Sequence, residues 1–193
     1  MSDRSLAIFA YGSLVSRGSI AATLGTSAGD PVPARLYGWR RRWTLIRDNR
    51  TAEKGFAPLG DGEEFDWCLA LNIERAGTED WLNGALIRVD EAALARLRLR
   101  EIRYDAVDVT PAFIPSILDR VVAFQAKQAN FAETPPPRAV ILASYVEACE
   151  GAFEALGPGE LDAFRATTQR PPVPVVGATL VRDEVPPGNP RDW

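Results

Sequence analysis

The chain contains no histidine. This removes the commonest general base near neutral pH and the commonest metal ligand, and it excludes any Ser-His-Asp or Cys-His mechanism. Cysteine is scarce as well. Cys68 and Cys149 stand far apart, with no C-x-x-C spacing, and read as buried thiols rather than as a redox or zinc motif. No apolar run reaches the roughly 18 residues that a membrane helix needs. The opening MSDRSLAIFAYGS has neither the long apolar segment nor the cleavage site of a signal peptide, so a cytoplasmic address is the default expectation. Excess positive charge is lacking too: a net charge of −4 and a pI near 5.0 argue against nucleic acid as the partner. An enzyme of this composition, working without a cofactor, relies on carboxylates, hydroxyls and backbone dipoles.

What is present suits a single domain. The 193 residues are 46% hydrophobic and 25% charged, enough to bury a sizeable core under an ordinary charged surface. Residues 5–10 read as a buried strand ending at Tyr11-Gly12-Ser13, and 16–24 as a short helix closed by Gly25. ARLYGWRRRWTLI (34–46) alternates as one long strand, with Trp39, Arg41 and Trp43 on one face and Arg40 and Arg42 on the other. Residues 48–64, polar and glycine-containing, read as a mobile loop. FDWCLALNI and LNGALIRV read as strands, 90–101 as a helix with Asp90 as its N-cap, and YDAVDVTPAFI and RVVAFQA as two more strands. The longest helical pattern covers 138–156, and GELDAFRATT carries a shorter one. Proline clusters at 135–137, 171–174 and 186–190 mark loops and an irregular tail from about 170. Strands first and helices last is α+β order.

Two places carry chemistry. On a helical wheel over 90–103, Glu101 falls between Leu94 and Leu97, while Arg96, Arg100 and Arg103 gather on the opposite face. The stripe that buries the leucines therefore turns Glu101 inward, where desolvation raises a carboxyl pKa and suits it to proton transfer. The alternative is that Glu101 ends the helix in water, or pairs with Arg98 or another arginine. The second place is the corner Tyr11-Gly12-Ser13-Leu14. Gly12 permits positive φ and close approach to the backbone, and N–H groups leading into the following helix form an anion-binding nest. An ordinary strand-to-loop turn is the alternative there.

Together these motifs resemble the γ-glutamylcyclotransferase superfamily, including its ChaC-type branch. The resemblance rests on a strand running into Tyr11-Gly12-Ser13-Leu14, and on GALIRVDEAALARLRLREIRYD, in which a glycine-bearing strand and an acidic helix start lead to L-x-x-R-E and a tyrosine. It spans roughly residues 5–125. Where family members often carry L-D-x-R-E, this chain has Arg98 in place of the aspartate. The resemblance implies a mixed α+β fold with a strongly curved or barrel-like sheet flanked by helices. It implies Glu101 as catalytic acid/base, with Tyr11, Gly12, Ser13, Leu14 and Tyr104 binding a small γ-glutamyl substrate. The implied reaction converts that substrate to 5-oxoproline and a free amine, with no cofactor, metal, nucleic acid or membrane. Other readings are a related enzyme releasing γ-glutamyl groups from amines, and a non-catalytic binding module of the same fold. Nucleic-acid binding through WRRRW is opposed by the alternation of its arginines over two faces. Glu147, Glu150 and Glu154 read as solvent-facing, and Tyr145 as core or pocket.

Overall fold

The computed structural model describes residues 5–25, 28–113, 118–185 and 188–190. Eleven strands and four α-helices occur among them, in α+β order. Strand β1 (Leu6–Ala10) is buried at every position and lies at the centre of a five-stranded sheet. Its neighbours are β6 (Trp81–Val89), antiparallel, and β8 (Arg120–Ala126), parallel; β2 (Val32–Tyr37) and β7 (Tyr104–Asp108) form the edges. A second, four-stranded sheet runs β10-β9-β5-β3, and β4 (Lys54–Pro58) pairs with β11 (Ala178–Asp183) as a third. The mixed strand directions agree with the expected class. Among the described residues the strands make three sheets rather than a closed barrel.

Several segments differ from the sequence reading. The single strand expected at 34–46 is two, β2 and β3 (Trp39–Asp48), divided at Gly38, whose φ of +75° suits glycine. The two strands join different sheets. Residues 48–64, expected as a mobile loop, contain β4. The tail, expected as irregular, contains β10 (Val175–Val176) and β11. The long helix expected over 138–156 begins as a buried strand, β9 (Ala139–Leu142), which sits between β5 (Trp67–Arg75) and β10; helix α3 (Ala143–Leu156) follows it. A short apolar run suits a buried strand as well as a helix, and only its neighbours decide. Ile114, the end of the strand read from YDAVDVTPAFI, and residues 186–187 of the last proline cluster lie outside the described residues.

Helix α2 (Glu91–Arg100) follows the sequence reading closely. Asp90 Oδ1 accepts the Ala93 N–H at 2.7 Å, and Leu94 and Leu97 are fully buried. Each leucine contributes roughly 1.5–3 kcal/mol by leaving water. Arg100 departs from the wheel. It is buried, because α1 (Arg17–Leu24) lies over that side of α2 and offers Ser19 O, Ser19 Oγ and Thr23 Oγ1 to its guanidinium; Arg96 Nε likewise donates to Thr23 O.

Alternation along WRRRW holds. Trp39, Arg41 and Trp43 are buried, Arg40 is exposed, and Arg42 is half-buried. The Arg41 guanidinium lies against the Phe153 and Phe164 rings and donates to Asn83 O and Thr168 Oγ1. Burial lowers its pKa to about 9. Arg40 and Arg42 both pair with Glu74. These arginines hold the fold together and do not form an exposed basic strip. Glu147 and Glu154 are exposed, and Glu150 pairs with Arg165.

Candidate active site

The corner after β1 is a 3₁₀ turn, Ser13–Val15, in which the Val15 N–H closes on Gly12 O at 3.0 Å. As the first residues of that turn, Ser13 and Leu14 have N–H groups with no acceptor inside it. Beside the Ser13 N–H lies the Cys149 thiol, which burial pushes up to about 12 and so keeps protonated. The Gly12 backbone has negative φ (φ −142°, ψ −142°) and is not left-handed. The expectation that its value lies in positive φ is corrected, and close approach does not require glycine here either, because an added Cβ would make ordinary van der Waals contacts. A Cβ at Gly12 would stand 3.4 Å from the Tyr145 hydroxyl and 3.6 Å from Leu71 Cδ1.

A second glycine sets the position of the corner. Gly84, in β6, faces the end of β1 so closely that a Cβ there would lie 2.3 Å from Ala10 O and 2.6 Å from Phe9 Cζ. Any side chain would push the strand away from the residue that precedes Tyr11. Tyr11 itself is buried, and its hydroxyl donates to Phe124 O. Burial, helped by nearby Tyr104 and Glu101, raises its pKa well above the usual tyrosine range, against the opposing charge of Arg41. It is therefore a neutral phenol. Tyr145, on α3, is held neutral in the same way, chiefly by burial.

Glu101 is the C-cap residue of α2. Its N–H donates to Leu97 O at 2.8 Å and its carbonyl accepts the Tyr104 N–H at 2.9 Å, so both sides of its backbone are fixed. The side chain is 16% exposed, and Oε1 lies 3.1 Å from Arg100 Nε. Of the alternatives open in the sequence, Glu101 thus turns inward and is also paired. Its partner is the adjacent Arg100, itself anchored on α1, and not Arg98. Tyr104 Oη donates to Leu71 O at 2.8 Å, which ties the turn after α2 to strand β5 in the other sheet.

These elements meet at one cavity of about 410 Å³. Glu101, Tyr11, Gly12, Ser13, Leu14 and Tyr104 all line it, so the structure brings together every residue singled out from the sequence. Tyr145 lines it as well. The volume suits a small molecule. A carboxylate, three phenols and a strand corner with N–H groups at the head of a 3₁₀ turn can bind a zwitterionic head group and move a proton.

Sequence reading missed the rest of the lining. Lys54 and Phe56 come from β4, Leu180 from β11, and Arg47 from the end of β3. Between Arg42 and Leu45 the β3–β5 register shifts by one residue, so the face carried by odd-numbered positions changes along the strand. The alternation of WRRRW does not carry over to Arg47. A basic residue closing a strand pattern was the one available signal.

No protein-family model matches the chain, and no curated protein matches it in sequence. Solved structures do resemble it. A gamma-glutamyl cyclotransferase, 16% identical, superposes over 86% of this chain and 89% of its own, with a TM-score of 0.59. YkqA from Bacillus subtilis, 24% identical, superposes over 86% of this chain with a TM-score of 0.56; the match spans 54% of that longer chain. A yeast gamma-glutamyl cyclotransferase specific to glutathione, 11% identical, gives 86%, 98% and 0.50. At these identities the likeness establishes a shared fold.

Proposed function

From a chain with the γ-glutamylcyclotransferase-like fold, we propose an enzyme that closes γ-glutamyl compounds to 5-oxoproline. The observation that carries this reading is that Glu101 and the Tyr11–Leu14 corner line a single cavity. In the proposed reaction the substrate's α-amine nitrogen attacks its own γ-carbonyl carbon. A C–N bond forms to close the five-membered ring, the bond from that carbon to the departing nitrogen breaks, and 5-oxoproline and a free amine leave.

The substrate supplies the nucleophile, which suits a chain with no histidine and with its cysteines buried as thiols. What the protein contributes is folding the substrate into attack geometry, worth several kcal/mol of the barrier, and transferring the proton. An α-amino group has a pKa of about 7.7–8.0, so part of it is protonated at neutral pH and must lose a proton to attack. Glu101 takes that proton and returns it to the departing nitrogen. Arg100, held by Ser19 and Thr23, fixes the carboxylate in place. The corner N–H groups hold the α-carboxylate, and the hydroxyls of Tyr11, Tyr104 and Tyr145 supply further polar contacts.

The test is a panel of γ-glutamyl dipeptides, γ-glutamyl amines and glutathione, assayed for 5-oxoproline and free amine in equal amounts. Release from at least one class is expected. Tight binding across the panel without any release would make the protein a binding module and overturn the enzymatic reading.

A further inference from the structure

Among the described residues the cavity has five charged ones: one acid, Glu101, and four cations, Arg47, Lys54, Arg100 and Arg103. Three of the cations have acidic partners. Arg100 pairs with Glu101, Arg103 grips both oxygens of Glu53, and Lys54 lies 3.1 Å from Asp183. Arg47 differs. Among the described residues no carboxylate pairs with it, and its Nε and Nη2 atoms are buried without a hydrogen-bond partner; the Cys68 thiol, a weak acceptor, lies beside the guanidinium. The Phe56 ring covers its guanidinium at 4.8 Å, which holds the planar group flat. Desolvated guanidinium donors without acceptors are costly. A planar fork of this kind matches a carboxylate with two parallel hydrogen bonds.

Resting on the ring-closure reading above, we propose that Arg47 is a specificity-determining residue that binds the carboxylate of the departing amino acid or peptide. The protein then selects γ-glutamyl compounds whose departing amine carries an acid group over simple γ-glutamyl amines. The glutamyl head uses Glu101 for its amine and the Tyr11–Leu14 corner for its own carboxylate, on the wall built from β1 and α2. Arg47 belongs to the wall built from β3, β4, β5 and β11, which also carries Leu45, Phe56, Leu69 and Leu180. That wall offers an apolar surface for a side chain and one cation for an acid, which are the two features of an α-amino acid beyond its amine. A second cation on the departing group would meet Arg47 unfavourably, so γ-glutamyl conjugates of diamines and polyamines are disfavoured.

The test compares γ-glutamyl-leucine with γ-glutamyl-isoamylamine, which differ by that carboxylate alone. Wild type is expected to favour the leucine compound in kcat/KM by about 10- to 100-fold, the value of a charge-assisted hydrogen bond. Arg47→Met is expected to shrink that ratio towards one, and Arg47→Lys to recover part of it. Equal loss on both substrates in Arg47→Met, or no preference in wild type, would overturn the proposal. Release from neither compound strikes at the ring-closure reading instead. Calorimetric titration of γ-glutamyl-leucine then decides the role of Arg47: weaker binding to Arg47→Met than to wild type supports it, and equal binding or none contradicts it.

Discussion

The two walls of the cavity are built by different means. One, from β1, the Tyr11–Leu14 corner and α2, is made of segments whose own sequence specifies them. The other, from the end of β3, β4 and β11, is made of segments that become strands only by pairing across long stretches of chain. Lys54 is matched with Asp183, and Gly55 with Arg182. The chemistry proposed for the first wall rests on short motifs. The selection proposed for the second rests on residues that no local pattern marks.

The sharpest way to break the first wall is at Gly84. Gly84→Val forces a side chain onto Ala10 O and Phe9, and overpacking of this kind against backbone costs about 3 kcal/mol. Denaturant unfolding is expected to show that loss, with the corner displaced. A fully stable Gly84→Val protein would mean that β6 does not set the corner. The second wall breaks at Arg182, whose guanidinium donates to Asn49 O and Ala52 O and clasps β11 to the turn before β4. Arg182→Ala is expected to cost about 2 kcal/mol by leaving those carbonyls unmet. It is also expected to speed proteolytic cleavage within 49–64 while sparing α2. Equal protease resistance in mutant and wild type would show that the clasp is dispensable. The smallest effect belongs to Asp90. Losing its cap in Asp90→Ala costs about 1 kcal/mol and frays the start of α2, while Glu101, at the opposite end, keeps its Leu97 and Tyr104 backbone bonds. Stability is therefore expected to fall with little change in turnover. A large activity loss would couple the two ends of the helix.

The same contrast explains what was legible in the sequence. Helix periodicity placed Glu101 beside Leu94 and Leu97, and a capping residue placed the helix start, because both are properties of a dozen neighbouring residues. The wheel misplaced Arg100 because burial on that side depends on α1, whose Ser19 lies 81 residues earlier and brings acceptors with it. Residues 48–64 looked like a loop because β4 is short and glycine-bearing, and only β11, more than 100 residues away, turns it into a strand. Gly38 was visible as a glycine but not as the point where one strand pattern passes from one sheet to another. Arg47 escaped notice because the register shift before Leu45 ends the alternation that ordered WRRRW.

Replacing a single oxygen on Glu101 addresses the main claim most directly. Glu101→Gln preserves shape and the α2 C-cap backbone bonds but removes the proton acceptor. With folding checked by thermal melting, 5-oxoproline release from a γ-glutamyl dipeptide is expected to drop by at least ~10²-fold. A folded Glu101→Gln protein that turns over at the wild-type rate would contradict the assignment of proton transfer to this side chain.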